Sequence, residues 1–267
     1  MKTTYAKSTW EMSASPLAAI LDRLAADGFT VVENCPQAIG LDPEAFRDDL
    51  AARGLRYIAQ VHTEGASPAE HLASLESRLD LAARQGAVWL NCHTGKDHFD
   101  FADNCRLFAA SQAWAEHHGL PLTHETHRGR ALFSLPATRS FLQALPEMRL
   151  CADFSHWVCV HESNLADQAA ALDLAISRSD YIHARVGHSQ GPQVSHPLAP
   201  ENRTWLELHQ GWWQRILNRR QAEGQSETFV TPEAGPAPYM PVTPFDQRPV
   251  ADAWSVNVAL RDHLAQA

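Results

Sequence analysis

Short apolar runs rich in β-branched and aromatic residues alternate along the chain with longer stretches in which apolar residues recur every third or fourth position. These are the signatures of buried strands and of amphipathic helices. The runs predict strands over Tyr5–Ser8, Thr30–Glu33, Tyr57–Val61, Val88–Asn91, Leu122–Glu125, Arg149–Asp153, Tyr181–His183 and Thr228–Val230. Helical periodicity falls between them, over Pro16–Ala26, Pro43–Ala52, Ala69–Arg84, Phe101–His117, Ser134–Ala144, Leu165–Ser177, Trp205–Gln221 and Val250–Ala265. In the first helix Leu17, Ile20, Leu21 and Leu24 share a face, and Asp42 stands as a cap before the second.

Gly28, Gly54, Gly86 and Gly119 each follow a helical stretch and precede a strand, the place where a chain leaves a helix through a left-handed residue. Eight strand–helix units in strict alternation predict a parallel sheet closed on itself, a single (β/α)8 TIM barrel spanning residues 1–267. The length of 267 residues agrees with the roughly 250 usual for that fold. The Pro-rich stretch Pro232–Pro249 reads as a loop at the barrel mouth. Active sites of such barrels are built at the C-terminal ends of the strands, so the strand assignment is also a site prediction.

Composition narrows the picture. Hydrophobic residues make up 45% of the chain, enough for a continuous core, and no segment approaches a membrane span. The start Met1-Lys2-Thr3-Thr4-Tyr5 has no apolar signal-peptide core. The five cysteines show no CxxC spacing, and Cys35, Cys92 and Cys159 sit in or beside apolar runs as reduced thiols would. Together these predict a cytoplasmic protein. A formal net charge of −9 without a basic stripe argues against a nucleic-acid partner. The expected partner is a small sugar-like molecule, and a homo-oligomer is compatible with the sequence. The fifteen histidines are the unusual entry, because many follow predicted strands.

The later strands end in Thr123-His124-Glu125, Ala152-Asp153-Phe154-Ser155-His156, Ile182-His183-Ala184-Arg185 and Thr231-Pro232-Glu233. Four successive strands therefore aim Glu125, Asp153, His183 and Glu233 at one space. Three carboxylates facing one another raise one another's pKa unless a cation lies between them. Three oxygens and one imidazole suit Mn²⁺ or Mg²⁺ best, with Co²⁺ and Zn²⁺ also compatible. An acidic residue at a strand end can instead be a helix N-cap. Glu is a poor cap, so that alternative is weak for Glu125 and Glu233 and stronger for Asp153.

This set resembles the xylose-isomerase-like TIM-barrel superfamily of sugar (phosphate) isomerases and epimerases. The ketose 3-epimerase branch has a Glu on strand 5, an Asp followed three residues later by His on strand 6, a His on strand 7 and a Glu on strand 8. Glu125, the Asp153-x-x-His156 spacing, His183 and Glu233 match it, while the run Arg185–Gln193 differs from the branch.

The resemblance implies that the metal binds adjacent hydroxyl and carbonyl oxygens of a sugar and stabilises the cis-enediolate formed when the neighbouring proton leaves. It implies that Glu125 and Glu233 are both ligands and the acid/base pair, and that His156 bonds a substrate oxygen. Arg185 and His188 are candidates for a further hydroxyl, carboxylate or phosphate. The first half of the chain offers Lys7, Trp10, Glu33, Gln60, His62, His93 and Asp97, of which His62, His93 and Glu33 are the expected substrate contacts. Trp10 and Trp157 either wall the pocket or pack under loops.

The same scaffold also carries hydro-lyases of keto-inositols and dehydro-acids, and a nuclease with a multi-zinc cluster. For such a cluster His62, His93 and Glu125, with Asp153, His156, His188 and Glu233, supply candidate ligands. A metal-dependent isomerase or epimerase is the expected activity, a dehydratase the alternative, and a non-enzymatic sugar-binding protein the last choice.

Overall fold

The structure, a computed structural model, describes residues 1–266; Ala267, the last residue of the expected span, lies outside them. Eight parallel strands close into a barrel in chain order. They are β1 (Lys2–Ser8), β2 (Val31–Asn34), β3 (Arg56–His62), β4 (Trp89–His93), β5 (Leu122–Glu125), β6 (Leu150–Ala152), β7 (Ser179–Ala184) and β8 (Glu227–Pro232). Helices α1 (Leu17–Ala26), α2 (Pro43–Ala52), α3 (Pro68–Arg84), α4 (Phe101–His118), α5 (Leu135–Ala144), α6 (Ser155–Val160), α7 (Ala169–Ser177), α8 (Arg203–Ala222) and α9 (Ala253–Leu264) connect and flank them. The fold is the expected single (β/α)8 barrel.

Local chemistry sets the boundaries. Asp42, Ser67, Ser134 and Asp252 each accept a backbone N–H in the first turn of α2, α3, α5 and α9. The cap at Asp252 is why α9 begins at Ala253 rather than at Val250. Gly119 closes α4 at φ 65°, and Gly28, Gly54 and Gly86 adopt φ of 81°, 65° and 78°, so the glycines end their helices as expected. Strand β6 is shorter than the apolar run suggests, because Asp153 turns the chain into the short helix α6. The predicted helix over 165–177 starts only at Ala169, since Leu165 sits at φ 64° ahead of a 3-10 turn.

The barrel interior starts with a layer of Ala6, Val31, Ile58, Cys151, Tyr181 and Phe229, with Trp89 packed against it. Side chains alternate across a strand, so the residues two positions further along point into the same interior. Val31 leads to Glu33, Ile58 to Gln60, Trp89 to Asn91, Cys151 to Asp153 and Tyr181 to His183, all buried. The apolar layer thus becomes the floor of a polar chamber at the C-terminal mouth. Two larger apolar clusters fill the space between barrel and helices, one on each side of the molecule. Among the described residues no helix is long and apolar enough to cross a membrane, and all five cysteines are free.

Candidate metal centre

Glu125, Asp153, His183 and Glu233 meet as buried side chains in that chamber, with one ligand atom from each within 4.8 Å of the others. His183 Nδ1 lies 3.2 Å from Glu125 Oε2 and 2.7 Å from Glu233 Oε2. His183 Nδ1 has no partner in hydrogen-bonding geometry, and Glu233 Oε2 also meets the Arg185 guanidinium at 2.8 Å. Acceptor atoms gathered this closely in a buried site suit a shared cation, either a proton on His183 or a metal ion in its place.

Each of these side chains is held from behind. His183 Nε2 lies 3.0 Å from Glu33 Oε1. A carboxylate can only accept, so Nε2 donates; a metal that displaced the proton from Nδ1 would find its lone pair facing Glu125 and Glu233. Glu125 Oε2 accepts from Asn91 Nδ2 at 2.8 Å and meets His93 Nε2 at 2.6 Å. Thr126 Oγ1 grips the Asp153 backbone, accepting from its N–H at 2.9 Å and donating to its carbonyl at 2.8 Å. The capping alternative for Asp153 applies to one of its oxygens only. Oδ1 accepts from Ser155 N at the start of α6, while Oδ2 faces Arg185 Nε at 2.9 Å.

Electrostatics agree with a site that demands positive charge. Burial alone would lower the His183 pKa, but Cys151, Glu233, Glu33 and Glu125 around it raise it well above 6.5. Burial likewise works to raise the Glu233 pKa, and Arg185 and His183 outweigh it and hold the carboxylate well below its usual range. Asp153 is pushed up to about 7 by burial against the pull of Arg185. Burial also drives the His62, His93 and His156 pKa values well down, so these imidazoles are neutral and available as ligands or acceptors.

Arg185 is fully inside the centre. Its guanidinium pairs with Asp153 and also with Glu233 at 2.8 Å, and it stacks 4.6 Å from the ring of Tyr239. His156 is wholly buried with neither ring nitrogen bonded, and its ring lies 4.0 Å from that of His127. His127 in turn stands 4.8 Å from His93, and His93 stands 4.2 Å from His62. Four imidazoles thus line the mouth from β3 to α6. His93, Glu125 and His127 form a second group with mutually close ligand atoms.

Of the remaining expected residues, some back the centre and others lie away from it. Glu33 is buried behind His183 rather than open to the mouth. His188 is tied into the turn 188–191, its Nδ1 accepting from Gln190 N at 3.2 Å. Lys7 is buried against Glu11, Gln60 lies 3.4 Å from His93 Nε2, and exposed Asp97 pairs with His98. Trp157 packs beneath the β5 loop and donates to Leu132 O at 3.0 Å, whereas Trp10 walls the mouth, 5.4 Å from Tyr239. Sequence reading did not single out Asn91, His127 and Tyr239 as site residues. Alternation along β4 would have pointed Asn91 inward between Trp89 and His93, but Tyr239 comes from an irregular loop that carries no periodic signal.

Comparison with solved structures then identifies the architecture. A 3-keto-D-glucoside 4-epimerase from E. coli superposes with a TM-score of 0.67 over 100% of both chains at 12% identity. The chain has the xylose isomerase-like TIM-barrel fold. A xylose isomerase-like TIM-barrel protein from Mycobacterium smegmatis, solved in complex with magnesium, matches with a TM-score of 0.67 over 100% of this chain and 98% of the other at 15% identity. A probable 3-DHS dehydratase from Bacillus anthracis matches with a TM-score of 0.65 over 98% of each chain at 14% identity. No family model and no curated protein matches the sequence. At these identities the likeness of other xylose isomerase-like barrels speaks for the fold, and the chemistry has to be argued from this chain's own side chains.

Proposed function

We propose that the protein is a divalent-metal-dependent isomerase or epimerase of a small sugar, sugar acid or sugar phosphate. The observation that carries this reading is the convergence of Glu125, Asp153, His183 and Glu233, from four strand ends, within 4.8 Å of one another in a buried chamber. The residues fit a metal because Glu125 and Glu233 each bring a carboxylate oxygen within 3.2 Å of His183 Nδ1 and because Glu33 accepts from His183 Nε2, which leaves Nδ1 as the ligating atom once its proton is displaced. Mn²⁺ or Mg²⁺ suits the donor set best, and Co²⁺ and Zn²⁺ are compatible.

When bound, the cation supplies polarisation of a substrate carbonyl, which acidifies the adjacent C–H. Glu125 ends β5 and Glu233 directly follows β8, and the two would act from opposite faces of the substrate. One accepts the proton and the other returns it, on the opposite face for an epimerisation. His156, His93 and His62 are neutral and offer lone pairs or N–H groups to substrate hydroxyls. Trp10 and Tyr239 wall the mouth and limit water. Arg185 neutralises Asp153 and Glu233 and orients them, and its remaining N–H groups can meet a substrate oxygen. The reading takes the enzyme as cytoplasmic and its partner as a sugar-like molecule. The epimerase and the magnesium complex among proteins of this fold support it.

Incubation with keto- and aldo-sugars, their acids and their phosphates in D₂O with Mn²⁺ tests the proposal. The expected result is a product of unchanged composition carrying one solvent deuterium next to the carbonyl, abolished by chelator and restored by Mn²⁺ or Mg²⁺. Loss of water with gain of an enone absorbance would move the protein to the hydro-lyases, as the dehydratase of this fold suggests. Full turnover in metal-free protein would defeat the metal-dependent reading.

A further inference from the structure

The two residues after Glu233 are each gripped through their backbone by a side-chain amide from a distant part of the chain. Ala234 donates its N–H to Asn257 Oδ1 and accepts from Asn257 Nδ2 at 2.9 Å. Gly235 donates its N–H to Gln193 Oε1 at 2.7 Å and accepts from Gln193 Nε2 at 3.1 Å. Glu233 itself donates its N–H to Ala184 O at 3.2 Å, next to His183. Three consecutive residues thus have their backbone N–H groups fixed, and two have their carbonyls fixed as well.

Both amides are buried, and Asn257 stands where the helical pattern calls for something apolar. Asn257 is 1% exposed and lies on the core face of α9 with Ala253, Trp254, Val256 and Leu260. An uncompensated amide there would be costly, and its hydrogen bonds to Ala234 are the compensation. Gln193, 6% exposed, also accepts from Arg185 at 3.2 Å, so one amide joins the strand-8 loop to the guanidinium that holds Asp153 and Glu233. Gly235 completes the clamp. A Cβ at that position would stand 1.9 Å from Trp10 Cζ2, so the loop backbone lies directly against the indole.

We propose that Asn257 and Gln193 are positioning residues that fix the Glu233 carboxylate on the metal and substrate through the Ala234 and Gly235 peptides. This rests on the reading of Glu233 as ligand and acid/base group. Partners one bond removed from a ligand typically govern metal affinity and activity about 10–100-fold, and here the intermediary is backbone instead of a side-chain hydrogen bond.

The test compares Asn257→Leu and Gln193→Met with wild type, and with Leu79→Ala, a buried α3 residue far from the mouth that serves as a control for lost stability. Calorimetry with Mn²⁺ reads affinity, and crystal structures of the metal-free variants read the carboxylate position. The expected result is an Mn²⁺ dissociation constant raised about tenfold or more in both amide variants and little changed in Leu79→Ala. In the crystals Glu233 should leave its 2.7 Å approach to His183 Nδ1. Glu233 in its wild-type place in both variants, or an affinity loss matched by Leu79→Ala, overturns the proposal. If wild type takes up no Mn²⁺, the metal reading fails and the carboxylate position alone decides the role of the two amides.

Discussion

The guanidinium of Arg185 lies 2.9 Å from the carboxylate of Asp153, with both side chains almost wholly inaccessible to solvent. The same guanidinium reaches Glu233, so one fixed cation serves two of the three carboxylates in the centre. This keeps the metal-free fold tolerable, because like charges so close otherwise cannot all stay ionised in a buried space. It also sets up competition, since a divalent ion offers the same carboxylates more charge.

Replacing Arg185 by Leu should therefore destabilise the metal-free protein, by about 3–5 kcal/mol if the carboxylates stay ionised. The loss should largely return on adding Mn²⁺. Thermal melts with chelator and with Mn²⁺ check this, and the melting shift induced by Mn²⁺ should be larger in the variant than in wild type. An equal shift in both would mean that Arg185 and the ion do not share partners.

Glu33, expected as a substrate contact, also offers a carboxylate to His183. Its Oε1 sits behind His183, 3.0 Å from Nε2, where it sets the tautomer. Glu33→Gln replaces a charged group that can only accept by a neutral amide that can also donate, and should weaken Mn²⁺ binding about 10–100-fold. If Glu33 acts only through His183, KM measured at saturating Mn²⁺ should stay near wild type. A raised KM with unchanged metal affinity would restore the substrate-contact role.

His156 has two buried, unbonded ring nitrogens, an arrangement that costs stability unless something arrives to use them. His156→Phe keeps the stacking against His127 and removes the orphaned atoms. The variant should melt at or above the wild-type temperature while KM rises about tenfold, the effect of one lost hydrogen bond of roughly 1.4 kcal/mol. A loss of stability with KM unchanged would mark His156 as structural.

The stability of the fold should also depend on pH through histidines remote from the chemistry. His209 on α8 is fully buried, and burial pulls its pKa from 6.5 down to about 4 even though its bond to the Trp205 carbonyl raises it. Between those values the unfolded chain binds a proton that the folded chain refuses. This contribution to stability is therefore complete above pH 6.5 and is lost as pH falls toward 4. The full difference is about 3 kcal/mol, taking each pKa unit as about 1.4 kcal/mol. Urea unfolding of wild type and His209→Gln at several pH values between 7.5 and 4.5 tests it. The stability gap between the two proteins should narrow as pH falls, and a constant gap would remove His209 as the source.

What the sequence by itself determined is the part governed by short-range rules. Period-2 and period-3.6 patterns, with a glycine after each of several helices, define the alternation, and eight units closing on themselves bring every strand's C-terminal end to one rim. That is enough to place Glu125, Asp153, His183 and Glu233 together, because each follows its own apolar strand. What only the tertiary structure decided is which of the gathered groups face one another. His183 and Glu33 are separated by 150 positions in the chain, and their contact depends on how the strands are staggered around the barrel. Arg185, readable as a substrate contact, turned inward because two carboxylates from other strands outbid solvent for its charge. Asn257 and Gln193 look like polar interruptions in apolar surroundings until the strand-8 loop is laid against them. Local pattern fixes where a side chain starts, whereas its partner is chosen by burial and charge compensation across elements that meet only in the folded barrel.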